Sequence, residues 1–171
     1  MQTIATPDEL LAQLAKKLKT LLHDKAIDNP LMVGIHTGGA WIAKVLHQQL
    51  QISEPLATLD ISFYRDDFSR IGINPEVKPS QLPLDVDDRH IILIDDVLHT
   101  GRTIRAAMNE LFDYGRPASI TLACLIERSG RELPLQADIV GELINLNDGE
   151  HIKLTGPNPL AFEVQKNTAN G

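Results

Sequence analysis

The stretch Ile91-Ile92-Leu93-Ile94-Asp95-Asp96-Val97-Leu98-His99-Thr100-Gly101-Arg102-Thr103 decides how this chain folds. Its first four residues are apolar without interruption, which fits a strand covered on both faces, as in a parallel sheet between helix layers. Two adjacent carboxylates follow, and then a Thr-Gly-Arg-Thr turn. Beyond the turn, Ile104, Ala107, Met108, Leu111 and Phe112 recur at helical spacing, and Gly115 with Pro117 supplies the stop. The stretch is a strand-loop-helix corner.

At such a corner the first helical amides have no partner within the helix, and the macrodipole places roughly half a positive charge behind them. A phosphate fits there. Gly101 lets the backbone approach closely, the hydroxyls of Thr100 and Thr103 can donate, and His99 and Arg102 can add charge. Asp95 and Asp96, if about 4 Å apart, would repel by about 4 kcal/mol at an effective dielectric near 20, so they need a cation, separation or hydroxyl donors to stay ionised together. A sugar diol and Mg2+ provide both. Successive strand side chains face opposite ways, so both acids reach one ligand only where the strand ends, which is where the sequence places them. An isolated Asp-Asp pair also suits a solvated turn. A nucleotide triphosphate loop needs Gly-x-x-x-x-Gly-Lys-Ser/Thr, and no such run occurs. The stretch is thus a site for a phosphorylated sugar.

Outward from it, the same grammar repeats. Thr6, Pro7 and Glu9 form a capping-box start, and Leu11, Leu14, Leu18 and Leu21 make one apolar stripe of a helix ending near His23. Lys16, Lys17 and Lys19 lie on its other side, as a solvated face or a polyanion site. Residues 31–35 form a buried strand, His36-Thr37-Gly38-Gly39 another such corner, the first along the chain, and Ile42, Val45, Leu46 and Leu50 one side of the next helix. Residues 56–64 form a strand. Residues 65–88 hold several prolines and charges with little periodicity, the mark of a functional or disordered loop. Residues 118–126 form a strand, 127–134 a turn, and short strands near Ile139 and Ile152 close the fold. Residues 165–171 are a candidate tail.

Strands alternating with helices predict an α/β fold with a mostly parallel twisted sheet, whose ligands bind beyond the carboxyl ends of the strands. Residues 36–39, 64–67, 95–103 and 127–131 all follow strand ends and can converge on one crevice.

A length of 171 residues suits one domain, residues 1–171, able to bury a core without disulfides. The single cysteine, Cys124, lies in the apolar run 120–126 and is a core residue. The opening residues lack the order of a secretory leader, and no apolar run approaches membrane-spanning length, so a cytoplasmic location and no membrane partner are expected. With net charge −7, pI near 5.3 and few aromatics, the chain lacks the broad basic footprint of a dedicated nucleic-acid binder.

The stretch resembles the signature of type I phosphoribosyltransferases: a hydrophobic run, two acids and a Thr-Gly-x-Thr phosphate loop. Four blocks carry a closer resemblance: Val33-Gly34-Ile35-His36-Thr37-Gly38-Gly39; Leu59-Asp60-Ile61-Ser62-Phe63-Tyr64-Arg65-Asp66-Asp67; residues 94–107; and Gly115-Arg116-Pro117 continuing to Arg131-Glu132-Leu133-Pro134. Together they resemble the PyrR family, a uracil phosphoribosyltransferase that in some bacteria also binds pyrimidine-operon messenger RNA. The resemblance implies the type I fold with a small hood at about residues 127–160. It also implies the substrates 5-phosphoribosyl 1-pyrophosphate (PRPP) and uracil, the product UMP, Mg2+ as cofactor, and a dimer or larger homo-oligomer. Residues 95–103 would bind the ribose and the 5-phosphate, with Asp95 and Asp96 reaching the metal indirectly, through PRPP or water. His36, Thr37, Gly38 and Gly39 would hold the pyrophosphate. Arg65 and Asp66 would begin a flap, at about residues 65–88, over the reacting bond, and Glu127 and Arg128 would help form the base hood.

Each assignment has a structural rival: His36 as a capping residue, and Arg65 with Asp66 and Asp67 as a surface ion-pair cluster. One block departs from the family pattern, which has Lys-Thr-Arg-Gly where this chain has His36-Thr37-Gly38-Gly39. Two positive charges are missing, each typically worth about 1.5 to 3 kcal/mol in charge-assisted bonds, so slow catalysis is an expectation. Two other functions share the same site. One is a nucleotide-sensing, RNA-binding regulator with little turnover, disfavoured by the acidic charge. The other is a purine phosphoribosyltransferase, against which stands the absence of an aromatic residue in 127–135 to stack on a larger ring.

Overall fold

Thr6 starts the first helix through a reciprocal pair of bonds. Its hydroxyl accepts the Glu9 amide at 3.3 Å, and Glu9 Oε2 accepts the Thr6 amide at 2.9 Å. That backbone bond, followed by the Thr6 hydroxyl, holds the Glu9 carboxyl below its ordinary range. The computed structural model describes residues 3–61, 82 and 85–167. Helix α1 (Pro7–Asp24) buries Leu11, Leu14 and Leu18 of the expected stripe and Leu10 beside them, while Leu21 is only partly buried. Lys17, on its other side, donates to the Val140 carbonyl at 2.8 Å.

Strands β1 (Leu31–Ile35), β2 (Ala57–Leu59), β3 (His90–Leu98), β4 (Ser119–Arg128) and β5 (Ile139–Ile144) form one sheet in the order β2-β1-β3-β4-β5, with every pair parallel. Helix α2 (Gly38–Gln49) follows β1, and α3 (Arg102–Tyr114) follows β3. The central strands are buried on both sides because their side chains alternate between two cores. Met32, Ile92, Ile94, Ala123 and Leu125 pack with α1 and α2. Leu31, Val33, Ile91, Leu93, Leu122 and Cys124 pack with α3 residues Ile104, Ala107 and Leu111. A hairpin of β6 (Glu150–Thr155) and β7 (Ala161–Lys166) is antiparallel and adds Ile152 and Leu154 to the first core.

In this order the chain passes from β1 to one neighbour, β2, and then returns to the other, β3. The topology therefore switches direction between β1 and β3, and open α/β sheets bind ligands beyond the carboxyl ends of the strands at that point. Both corners read from the sequence lie there.

Four boundaries differ from the sequence reading. β3 does not stop at Ile94, because its ladder to β4 continues through Asp95↔Cys124, Val97↔Ile126 and Leu98↔Glu127. Glu127 and Arg128 are strand, not turn, because the same ladder and its continuation to β5 hold them. Val86, placed in a coreless loop, is fully buried in the second core. The hairpin continues to Lys166, past the expected hood and into the expected tail. Strand β2 matches the start of the strand expected at 56–64, and residues 62–64 lie outside the described residues, as does most of the expected flap.

Candidate active site

Two corners meet because β1 stops early. Its pairing with β3 ends at Gly34↔Ile94, whereas β3 continues beside β4 to Leu98, so from Asp95 onward the β1 side of β3 has no ladder partner among the described residues. A cavity of about 1060 Å³ opens along that side. This geometry allows both acids to face one cavity without the strand having ended.

All nine residues assigned to ribose and phosphate line this cavity: Asp95, Asp96, Val97, Leu98, His99, Thr100, Gly101, Arg102 and Thr103. Thr37 and Gly38 of the first corner line it as well. His36, Gly39, Glu127 and Arg128 are not among the lining residues. Gly39 nevertheless acts on the site through packing: a Cβ added there would lie 2.6 Å from the Ile94 carbonyl oxygen and 3.0 Å from Asp95 Cα. A Cβ on Gly38 would run into the Asp96 carboxylate. Only glycine lets the first turn of α2 sit directly on the acidic pair. The His36 amide is taken up by the Leu59 carbonyl at 2.8 Å, and the His36–Thr37 peptide is cis. Arg65 and Asp66 lie outside the described residues.

The acids are held by their own backbone. Asp95 Oδ1 accepts the Asp96 amide and Asp96 Oδ1 accepts the Val97 amide, both at 2.9 Å, which fixes the two carboxylates along the strand. Asp95 is 4% exposed and Asp96 is half-buried. Behind them Cys124 is fully buried; burial first, then the charges of Asp95 and Glu127, push its thiol up, so it stays protonated and inert.

At the second corner Gly101 takes a left-handed φ of 95° and caps α3. The first intrahelical bond runs from the Arg105 amide to the Gly101 carbonyl at 3.0 Å. The Thr103 and Ile104 amides have no protein acceptor among the described residues, which leaves them for an anion. At the first corner the Gly38, Gly39 and Ala40 amides of α2 are in the same position, with no acidic residue in that turn. Two helix N-termini thus face one cavity, with two carboxylates between them. The Thr100 hydroxyl, expected as a donor, accepts the Arg102 amide at 3.2 Å.

The rest of the lining comes from residues to which the sequence reading gave no role. Trp41, the sole tryptophan, comes from α2 and packs on the hairpin turn, where a Cβ on Gly156 would lie 3.4 Å from its ring. His151, Ile152, Lys153 and Leu154 come from β6, and Asn167 Nδ2 lies 3.0 Å from His151 Nε2. Glu132 enters from the segment after β4. For the β6 residues the sequence signal was a polar-apolar alternation in 150–155, and for Glu132 its place in the Arg131-Glu132-Leu133-Pro134 block; neither shows what the side chain faces. Arg128 instead donates to the Glu150 carbonyl at 3.1 Å, its Nε is buried with no partner among the described residues, and burial lowers its pKa. It ties β4 to the hairpin. Among the described residues no helix is long and apolar enough to cross a membrane.

A model of the phosphoribosyl transferase domain matches residues 4–155. A protein of Nitrosococcus oceani named Bifunctional protein PyrR is 58% identical over 160 residues, which cover 92% of this chain and 90% of that one. A protein of the same name from Pseudomonas paraeruginosa is 54% identical, covering 94% and 95%. Among solved structures, a hypoxanthine phosphoribosyl transferase of Trypanosoma cruzi superposes with a TM-score of 0.66 at 20% identity, over 87% of this chain and 80% of that one, a likeness of fold alone. With that domain spanning most of its length and those relatives identical at more than half of the aligned positions, the chain belongs to the PyrR family of type I phosphoribosyltransferases.

Proposed function

We propose that this chain transfers the 5-phosphoribosyl group of PRPP to uracil, giving UMP and pyrophosphate, and that it also serves as a UMP-responsive regulator of pyrimidine genes. One observation carries the catalytic reading: two helix N-termini whose first amides have no protein acceptor among the described residues face a single cavity across the Asp95–Asp96 pair. PRPP is a sugar diol with a phosphoryl group at one end and a pyrophosphate at the other, and the site offers a complement to each part.

The Thr103 and Ile104 amides would take the 5-phosphate. The first turn of α2 would take the pyrophosphate with Gly38 and its neighbours, where His36 and Gly38 stand in place of the lysine and the arginine of the family pattern. Asp95 and Asp96 would accept from the ribose hydroxyls and orient the sugar. Departure of pyrophosphate leaves positive character at the sugar carbon, so the protein's task is to stabilise the leaving charge, hold the base in line and exclude water. No side-chain nucleophile is needed. To Arg65 and Asp66 we assign closure over the reacting bond, and to Glu127 and Arg128 support of the base side through the hairpin.

The donor set suits Mg2+, a hard cation that binds through one or two carboxylates plus substrate phosphates. Among the described residues no cluster of three or more His, Cys, Asp or Glu forms, so an ion beside Asp95 and Asp96 would draw its other ligands from PRPP and water. When bound it neutralises charge on the pyrophosphate.

The regulatory half draws on the name that the relatives carry, Bifunctional protein PyrR. A net charge of −7 makes any RNA contact local rather than global. A cytoplasmic location and a homo-oligomer belong to the same reading. Product analysis with PRPP, Mg2+ and a panel of free bases should give UMP from uracil and little nucleotide from purines. Transfer to a purine alone, or none at all, would defeat the catalytic reading. Filter binding of pyrimidine-operon leader RNA should weaken steeply with salt, through counterion release, and no binding at low salt would remove the regulatory half.

A further inference from the structure

The loop that receives a phosphoryl group already holds its own arginine in an ion pair. Arg102 Nε and Nη2 donate at 3.1 and 2.9 Å to one oxygen, Glu132 Oε2, and both side chains line the cavity. The pair is about half exposed, 46% for the arginine and 54% for the glutamate. Backbone geometry brings Glu132 there, not chance contact between two long side chains. The Glu132 and Leu133 amides both donate to the Thr100 carbonyl at 3.0 Å, and a Cβ on Gly101 would meet Leu133 at 3.3 Å. The segment after β4 therefore pins a carboxylate to the mouth of the Thr-Gly-Arg-Thr turn.

We infer that Glu132 sets the affinity of this loop for a terminal phosphoryl group, by occupying Arg102 and by placing negative charge beside the incoming dianion. The inference rests on the reading of this loop as the 5-phosphate site. Two effects point the same way. A guanidinium shared with Glu132 gives a phosphate fewer donors than one released to it, and phosphate is the geometrically matched partner for its planar fork. The carboxylate left behind repels the dianion, more so at low ionic strength. The opposing effect, that Glu132 orients Arg102 for the ligand, is small, because an exposed pair orders its partners only weakly. Glu132 is therefore a specificity-determining residue that keeps sugar phosphates exchangeable and leaves ligands without a phosphoryl group untouched.

Calorimetric titration of ribose 5-phosphate into wild type, Glu132→Gln, Arg102→Gln and the double variant tests this. At low salt Glu132→Gln should bind about three- to fivefold tighter, the range open to one exposed ion pair. The gain should shrink as salt is added and fall below about twofold in the Arg102→Gln background, as coupling between contacting residues requires. In turnover, KM for PRPP should fall by a similar factor with no rise in kcat. Unchanged or weaker binding by Glu132→Gln, or a gain as large without Arg102, would overturn the inference. Failure of the wild type to bind ribose 5-phosphate would instead overturn the phosphate-site reading itself, so the two failures are told apart. Melting curves for all four proteins should coincide within a few degrees, since both side chains are at the surface.

Discussion

Replacing Asp95 and Asp96 together by asparagine should reduce UMP formation by about three orders of magnitude, the scale of losing charge placed against a developing transition state. The fold should survive. Each asparagine keeps an oxygen that can accept the next amide, as Asp95 Oδ1 and Asp96 Oδ1 do at 2.9 Å, and the change removes two neighbouring negative charges from a nearly closed strand end. Circular dichroism and the urea midpoint should therefore stay near the wild type while product analysis registers the loss. Turnover within tenfold of wild type would remove the carboxylates from the mechanism.

The second large effect comes from Gly39, which is not among the residues lining this cavity. In Gly39→Ala the new methyl would start 2.6 Å from the Ile94 carbonyl oxygen and 3.0 Å from Asp95 Cα, both backbone atoms that no rotamer change can move. Either α2 lifts off β3 or the strand shifts, and overpacking of this kind costs about 1 to 3 kcal/mol. Its catalytic cost is larger, because displacing the acids or the α2 amides by about an ångström is worth on the order of a hundredfold in rate. Gly38→Ala is the informative contrast: its methyl would meet the Asp96 carboxylate, which can swing aside. That variant should lose activity with little change in melting temperature, whereas Gly39→Ala should lose both. Full activity in Gly39→Ala would show that the close approach of α2 to β3 is not needed for the chemistry.

Local pattern revealed some of these features and was silent on others, for physical reasons. β1 was legible to the residue because all five of its positions are buried, so no polar interruption blurred its ends. β3 was read too short because polarity was taken as the end of a strand. Here the ladder to β4 continues under the two aspartates, whose own carboxylates satisfy the amides that follow. β7 was missed because most of its side chains are exposed, leaving no strong apolar signal to read. The stretch 95–103 that lines the cavity was legible in full, since it is contiguous. Trp41, His151 and Lys153 were not, because each is ordinary in its local context and gains its place only when the hairpin packs beside the sheet, and Glu132 stood in a quoted block with no role attached. The hood role of Arg128 came from the resemblance alone, and its bond to the hairpin backbone could not be read from the sequence because it joins residues 22 apart.

Thr37, Asp96 and His151 stand on a helix start, a strand and a hairpin that are far apart along the chain, yet they border one cavity. An unfolded polypeptide has no such surface, so whatever occupies it draws the equilibrium toward the native state. By mass action a sugar phosphate at a hundred times its dissociation constant adds about 2.7 kcal/mol against unfolding. Substrate supply would then govern not only how fast the molecule works but how long it resists proteolysis.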